Sequence, residues 1–319
     1  MALRVVFCGT PAFALPTLLR LMAEPMFEVT AVVTQPDRAR GRGQEVLPSP
    51  VKEVAIEAGT PIYQPEKITS DSAFEFFERI KPDVVVIIAY GQIVPKRLIE
   101  LPRLGWINLH ASLLPKYRGA APINWAIIKG ERYTGVSTMQ VDAGMDTGPI
   151  LMQLGLKIGD DETAPQLAMR MGEQGASLVM SSIVALDRTT VIPRVQDDAQ
   201  ATRAPLLKKR HGLVDWHLTT GQIYNRIRGL DPWPGAYTYF RGQLCHVWGC
   251  PAEAPPNARS VAGGTLVADA GQLLVSCGEA SWLRLTGLKL EGRKRITARE
   301  FENGARLTPG EMFSSTTHS

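Results

Sequence analysis

The chain has 319 residues, 45% hydrophobic and 21% charged, with a formal net charge of +4. This is the composition of a folded globular protein with room for two domains, and it excludes a disordered or fibrous chain. Four cysteines (Cys8, Cys245, Cys250 and Cys277) without CxxC or zinc spacing argue against a disulfide framework and point to free thiols in a reducing, cytoplasmic compartment.

The longest apolar run, Val84–Ala89, is too short to span a bilayer. The N-terminal MALRVVFCG reads as a first strand rather than a signal peptide. Charge is uneven: residues 1–189 carry 19 Lys and Arg against 20 Asp and Glu, and residues 190–319 carry 16 against 11. A basic second half suits a polyanionic partner or a solvated basic face.

In chain order, residues 3–8 (LRVVFC) form a strand ending at Gly9-Thr10-Pro11, and AFALPTLLRLMA predicts a helix with proline near its start. Residues 28–34 are the second strand of a β-α-β unit, whose turn lacks the GxGxxG fingerprint. Residues 35–49 form a loop rich in Pro, Gly and Arg. Helices follow at 50–58 and 70–80, with a short strand near Ile62 between them. The continuous apolar strand 83–90 implies burial on both faces of a parallel sheet. A strand at 105–110, a short helix at 121–129, strands at 135–142 and 149–158, and a helix at 163–186 complete the first half. Residues 190–206 lose periodicity and read as an interdomain linker. A helix at 219–228 precedes AYTYF, CHVWGC, GGTLVA, LLVSC and WLRLTGLKL, spaced like a small barrel or sandwich.

Three polar features carry chemistry. Asn108 and His110 share one face of a strand at its end, where open α/β sheets place their ligand crevice; such residues also cap loops. Asp146 sits in the turn DAGMDTGP between Gly144 and Gly148, where turn chemistry alone favours an Asx role. Arg38, Arg40 and Arg42 stud the first long loop, as guides for an anion or as a plain surface loop. Together Asn108, His110 and Asp146 suit attack of an amine on a carbonyl without a covalent enzyme intermediate. Asn108 and His110 can donate to the developing oxyanion, a donor of this kind contributing about 2.7–4 kcal/mol. Asp146 can orient the imidazole and help move the amine's proton. No GxSxG elbow and no cysteine nucleophile motif accompanies them. HExxH is also absent, so no metal is expected.

Asn-x-His followed by SLLPKYRG and a downstream MDTGP resembles the folate-dependent formyltransferases, as do GTPAFA, TQPDR, GRG, SPVK and, in the second half, PWPGAY. The resemblance covers nearly the whole chain. It implies a Rossmann-like, mostly parallel α/β domain over 1–189, a linker over 190–206, and a small OB-like β-barrel that binds tRNA over 207–319. It implies 10-formyltetrahydrofolate as co-substrate and initiator methionyl-tRNA as acceptor, in a cytoplasmic monomer. Asn108, His110 and Asp146 match the family's catalytic positions. Ser112, Leu113, Leu114 and Pro115 match its folate loop. Ile88, Ala89, Tyr90 and Gly91 would line the pterin pocket through backbone groups. Arg38 and Arg42 fall in an Arg/Gly loop expected to meet the tRNA acceptor end; Gln44 and Glu45 stand where relatives often carry lysines. With tRNA implied, Lys208, Lys209, Arg210, Arg226, Arg228, Arg293, Lys294 and Arg295 become candidate phosphate contacts. Two readings stay open beside this one: another amine acceptor such as an aminosugar nucleotide, or a non-catalytic tRNA-binding protein.

Overall fold

A computed structural model describes residues 1–40, 45–256 and 261–316. In chain order the elements are β1 (Leu3–Gly9), α1 (Leu15–Ala23), β2 (Phe27–Val33), β3 (Arg38–Arg40), β4 (Glu45–Leu47), α2 (Pro50–Glu57), β5 (Ile62–Tyr63), α3 (Asp71–Ile80), β6 (Val84–Ile88), α4 (Lys96–Ile99), β7 (Trp106–His110), α5 (Pro122–Ile128), β8 (Tyr133–Gln140), β9 (Ile150–Lys157) and α6 (Ala164–Asp187). They continue as α7 (Thr220–Leu230), β10 (Tyr237–Phe240), β11 (Gln243–Ala252), β12 (Leu266–Asp269), β13 (Gln272–Ser276), β14 (Trp282–Leu290), β15 (Ile296–Thr297) and α8 (Ala298–Ala305). The chain divides into two compact units. One is Met1–Pro122 with Tyr133–Lys157 and Gln166–Pro205; the other is Leu206–Ser319 with Ile123–Arg132 and Ile158–Pro165.

The first unit is built on a seven-stranded sheet in the order β5-β2-β1-β6-β7-β8-β9. β5 through β7 run parallel, and β7, β8 and β9 pair antiparallel. Val5–Cys8 in β1 and all of β6 are buried, as expected for strands covered by helices on both sides. Strand order reverses at β1, which lies between β2 and β6. Such a reversal opens a crevice at the strands' carboxyl ends, the binding position in sheets of this kind. Local chemistry sets the helix starts. Ser49 caps α2 by accepting from the Lys52 N–H at 3.1 Å, and Ser70 caps α3 by accepting from Ala73 at 3.2 Å.

Among the departures from expectation, three lie around the site. The strand expected over 83–90 stops at Ile88, because Ala89 (φ +47°) and Gly91 (φ +91°) leave the extended region. The loop 35–49 contains the small β3/β4 ribbon. Residues 190–206, read as a linker, are bound to the first unit up to Pro205: the backbones of Arg194 and Ile150 exchange two 2.8 Å hydrogen bonds.

The second unit is an antiparallel sheet in the order β10-β11-β14-β13-β12, with β15 on β14. Its two edge strands are joined by the segment after α8. Ser314 exchanges two 2.9 Å backbone bonds with Tyr239 at the end of β10, while the Glu311 carbonyl accepts from Leu266 at 2.8 Å and Phe313 donates to the Gly264 carbonyl at 2.9 Å beside β12. Closure removes the exposed edges and makes the expected small barrel. Trp216, Val247, Leu283, Leu285, Phe301 and Phe313 fill it. Among the described residues no helix is long and apolar enough to cross a membrane.

Candidate active site

The site lies at the carboxyl end of β7. Leu109 points at α6, where Gly175 leaves it room: a Cβ on Gly175 would lie 2.5 Å from the Leu109 side chain. By strand alternation Asn108 and His110 occupy the opposite face. Asn108 is half-buried, and its amide has no side-chain hydrogen-bond partner among the described residues. His110 is 6% exposed. Its Nε2 lies 2.9 Å from the Tyr117 carbonyl oxygen. A carbonyl only accepts, so Nε2 carries a proton and donates it, and Nδ1 is the nitrogen left open. Nδ1 faces Asp146 Oδ2 at 3.6 Å. The same Oδ2 accepts from the Gly119 N–H at 2.8 Å.

The turn 141–149 divides its labour between two aspartates. Asp142 takes the Asx role, accepting from the Gly144 N–H at 3.0 Å and from the Thr147 hydroxyl at 2.8 Å. Asp146 is thereby free of turn-making and is aimed at His110. Its own backbone is left-handed (φ +55°), as is that of Tyr117 (φ +61°), conformations that non-glycine residues hold only when neighbours enforce them. Gly119 is tied down more tightly. Its φ is +122°, and a Cβ there would meet the Ala204 carbonyl at 2.7 Å.

Of the eight residues expected around folate, the structure turns half inward. Ser112 is fully buried, and its hydroxyl donates to the Lys116 carbonyl at 2.5 Å. Ile88, Tyr90 and Leu114 are buried as well. Ala89 and Gly91 are exposed, and Leu113 and Pro115 are half-buried, so these four offer surface to a ligand. The Tyr90 carbonyl accepts from Gln35 Nε2 at 2.9 Å, so this backbone acceptor already has a protein partner. Sequence reading missed what holds the loop. The Ser137 hydroxyl on β8 donates to the Ser112 carbonyl (2.6 Å) and accepts from the Leu114 N–H (3.0 Å) and from Gln153 Nε2 (2.9 Å), using its full capacity. Small polar residues inside a strand gave no sequence signal for this.

TQPDR and SPVK meet each other: Asp37 pairs with Lys52 and accepts from Gln64 Nε2 at 2.9 Å, anchoring the root of the arginine loop. Arg38 is exposed there. Arg42 and the side chain of Arg40 lie outside the described residues. In the second unit Lys208, Lys209, Arg210, Arg293, Lys294 and Arg295 are exposed. The Arg295 guanidinium sits 4.1 Å over the Trp248 ring. Arg226 donates to the His211 carbonyl at 3.3 Å. His211 is held below the usual histidine range by burial and then by the charges of Arg210, Lys208 and Arg226. Arg228 is the exception to the phosphate-contact expectation. It is 7% exposed and donates to the Gly159 and Glu162 carbonyls at 3.1 and 3.0 Å and to Asn225 Oδ1. Its guanidinium serves the interior of its unit, because its helical position points inward, which a charge count does not reveal.

Against known proteins, residues 3–183 match the formyl transferase family model, and residues 206–306 match the model of the formyl transferase C-terminal domain. The methionyl-tRNA formyltransferase of Solibacter usitatus is 48% identical over 311 residues, 98% of each chain. That of Geobacter metallireducens is 46% identical over 97% of each. Among solved structures, an N-formyltransferase from Helicobacter canadensis superposes with a TM-score of 0.66 at 18% identity, covering 89% of this chain and 99% of that one, a likeness of fold. With both family models matched in order and the polar triplet in place at the sheet's open end, the chain belongs to the formyltransferase family.

Proposed function

We propose that this protein transfers the formyl group of 10-formyltetrahydrofolate to the α-amino group of initiator methionyl-tRNA, acting as a monomer in the cytoplasm. The observation that carries the chemistry is the aligned set of an Asn108 amide with no side-chain partner among the described residues, a His110 ring with Nε2 bonded to Tyr117, and Asp146 facing Nδ1. The acceptor is supported by relatives 42–48% identical along nearly their whole length that are named for it. The exposed cations of the second unit suit a polyphosphate partner.

The amine nitrogen attacks the formyl carbon, and the carbonyl electron pair moves onto oxygen. Asn108 donates its amide N–H to that oxygen. Because the Nε2 proton is engaged by Tyr117, His110 receives the amine's proton at Nδ1, where Asp146 stabilises the imidazolium. The protonated Nδ1 then returns the proton to the folate nitrogen as the carbon–nitrogen bond to it breaks. The products are formyl-methionyl-tRNA and tetrahydrofolate, and the ring returns to its starting tautomer. Ala89, Gly91, Leu113 and Pro115 provide the surface for the folate, and Arg38 and Arg42 guide the acceptor end.

The test is transfer of labelled formyl from 10-formyltetrahydrofolate to charged initiator tRNA, beside glycinamide ribonucleotide and an aminosugar nucleotide as competing acceptors. Formylation of the tRNA alone is the expected result. Formylation of either small amine at a comparable kcat/KM overturns the acceptor assignment.

A further inference from the structure

The reacting groups of the proposed site are positioned by backbone atoms outside the sheet ladder: the Tyr117 carbonyl, the Gly119 N–H and the left-handed turn at Asp146. One segment, residues 194–204, bonds to all three regions. Gln196, 8% exposed, donates through Nε2 to the carbonyls of Asp146 (2.9 Å) and Gly148 (2.7 Å) and accepts through Oε1 from Arg118 Nε (3.0 Å). Its one amide thus joins the Asp146 turn to the loop that carries Tyr117 and Gly119. Thr202 Oγ1 accepts from the Tyr117 N–H at 2.8 Å, and the Thr202 carbonyl accepts from Arg118 at 2.9 Å. Ala204 donates to the Arg118 carbonyl at 2.8 Å and lies against Gly119. Asp198 pairs with Arg118 at 2.8 Å.

From this geometry we infer that Gln196 and Thr202 are positioning residues for formyl transfer: they hold the Tyr117 carbonyl and the Asp146 turn so that His110 keeps its Nε2–H tautomer with Nδ1 turned to Asp146. The inference rests on the assignment of Asn108, His110 and Asp146 as the reacting set. The physical requirement is that two left-handed non-glycine residues, Tyr117 and Asp146, stay in place. Each has a backbone group bonded directly to a strap side chain: the Tyr117 N–H to Thr202, and the Asp146 carbonyl to Gln196. Losing either bond lets the acceptor of Nε2 or the partner of Nδ1 drift. Misplacement on the ångström scale costs catalysis rather than binding.

The experiment compares Gln196→Met, Thr202→Val, Thr202→Ser, Val195→Ala and His110→Ala by single-turnover transfer, steady-state kinetics and thermal unfolding, with 15N signals of the His110 ring. Q196M and T202V are expected to lower kcat by about tenfold to a hundredfold, with KM for both substrates near the wild-type value and the His110 signals moved off the Nε2–H tautomer. T202S restores kcat. V195A, on the same segment with an exposed side chain, behaves as wild type. Should Q196M not fold, T202V and its serine rescue decide. Wild-type kcat and unmoved ring signals in T202V, with H110A inactive, overturn the positioning role and leave the site reading standing. Loss of kcat in T202V that follows the unfolding temperature and is not rescued by serine overturns it too. Full activity in H110A removes the site reading itself.

Discussion

The surroundings of His110 and the basic face of the barrel use polar groups in opposite ways. Around His110 the groups are buried or half-buried and each is bonded to specific partners: Nε2 to Tyr117, Asp146 to Gly119, Ser137 to three groups. On the barrel, Lys208, Lys209, Arg210, Arg293 and Lys294 are exposed and make no ion pair among the described residues. Bond-making at a carbon needs atoms fixed within fractions of an ångström. Attraction to a phosphate chain acts through a screened field about a Debye length deep and tolerates mobile side chains. Damage to the two regions is therefore expected to differ in kind: kcat in one, KM and salt dependence in the other.

The largest effect belongs to the first region. Asn108→Ala is expected to lower kcat by roughly 10²–10³, the cost of one oxyanion donor, with tRNA binding unchanged; single-turnover transfer measures it, and a loss confined to KM breaks the contrast. Gly119→Ala comes next. The new Cβ would press on the Ala204 carbonyl, and φ +122° is closed to alanine, so the N–H that holds Asp146 must move. About 1–3 kcal/mol of destabilisation is expected from the backbone conformation alone, read from denaturant unfolding, together with a fall in kcat.

Within the barrel, Arg228 and Arg293 sharpen the contrast on a single unit. Arg228→Ala removes a buried donor from the Gly159 and Glu162 carbonyls. Destabilisation of about 1–3 kcal/mol is expected, with no change in the salt dependence of tRNA binding. Arg293→Ala is expected to leave unfolding unchanged and to reduce the slope of log K against log salt by about 0.7–0.9 if it neutralises one phosphate. A salt-slope change for Arg228→Ala would contradict its burial.

The same contrast explains what could be read from the chain. β1, β6 and β7 were legible because a continuous apolar run or clean alternation over five or more residues has one interpretation. α4, four residues including Lys96 and Arg97, is too short to show a period, and α8 carries only Ala298 and Phe301 buried. Asn108, His110 and Asp146 were legible as candidates because the flanking SLLPKYRG and MDTGP motifs carry a family resemblance. Gln196 and Thr202 were not, because a segment that bonds to loops through single side chains has no periodicity and resembles a linker. Arg228 was misplaced for the converse reason. Charge is visible in a sequence, whereas the direction of a helical side chain depends on which face is covered.

The smallest effect concerns the barrel's closing seam. Glu311 lies where the C-terminal segment meets β12, and its carboxylate takes a two-pronged pair from Arg241, whose Nη2 is 2.9 Å from Oε2. The Arg241 guanidinium, working against partial burial and helped by the Thr308 N–H, holds the Glu311 carboxyl below its ordinary value of 4.5. A carboxyl depressed in the folded state adds stability that is complete above the unfolded value and is lost as pH falls through the folded one. Unfolding temperature should therefore be flat near neutrality and fall once pH drops below 4.5, with Glu311→Gln removing part of that fall. At pH 7 the substitution should cost little, because the Arg241 side chain is 51% exposed and water screens the pair. Formyl transfer at neutral pH should be untouched, since among the described residues neither side chain bonds to the proposed reacting set. An acid limb identical in E311Q and the wild type would mean that the backbone bonds at Tyr239, Gly264 and Leu266 close the barrel without the pair.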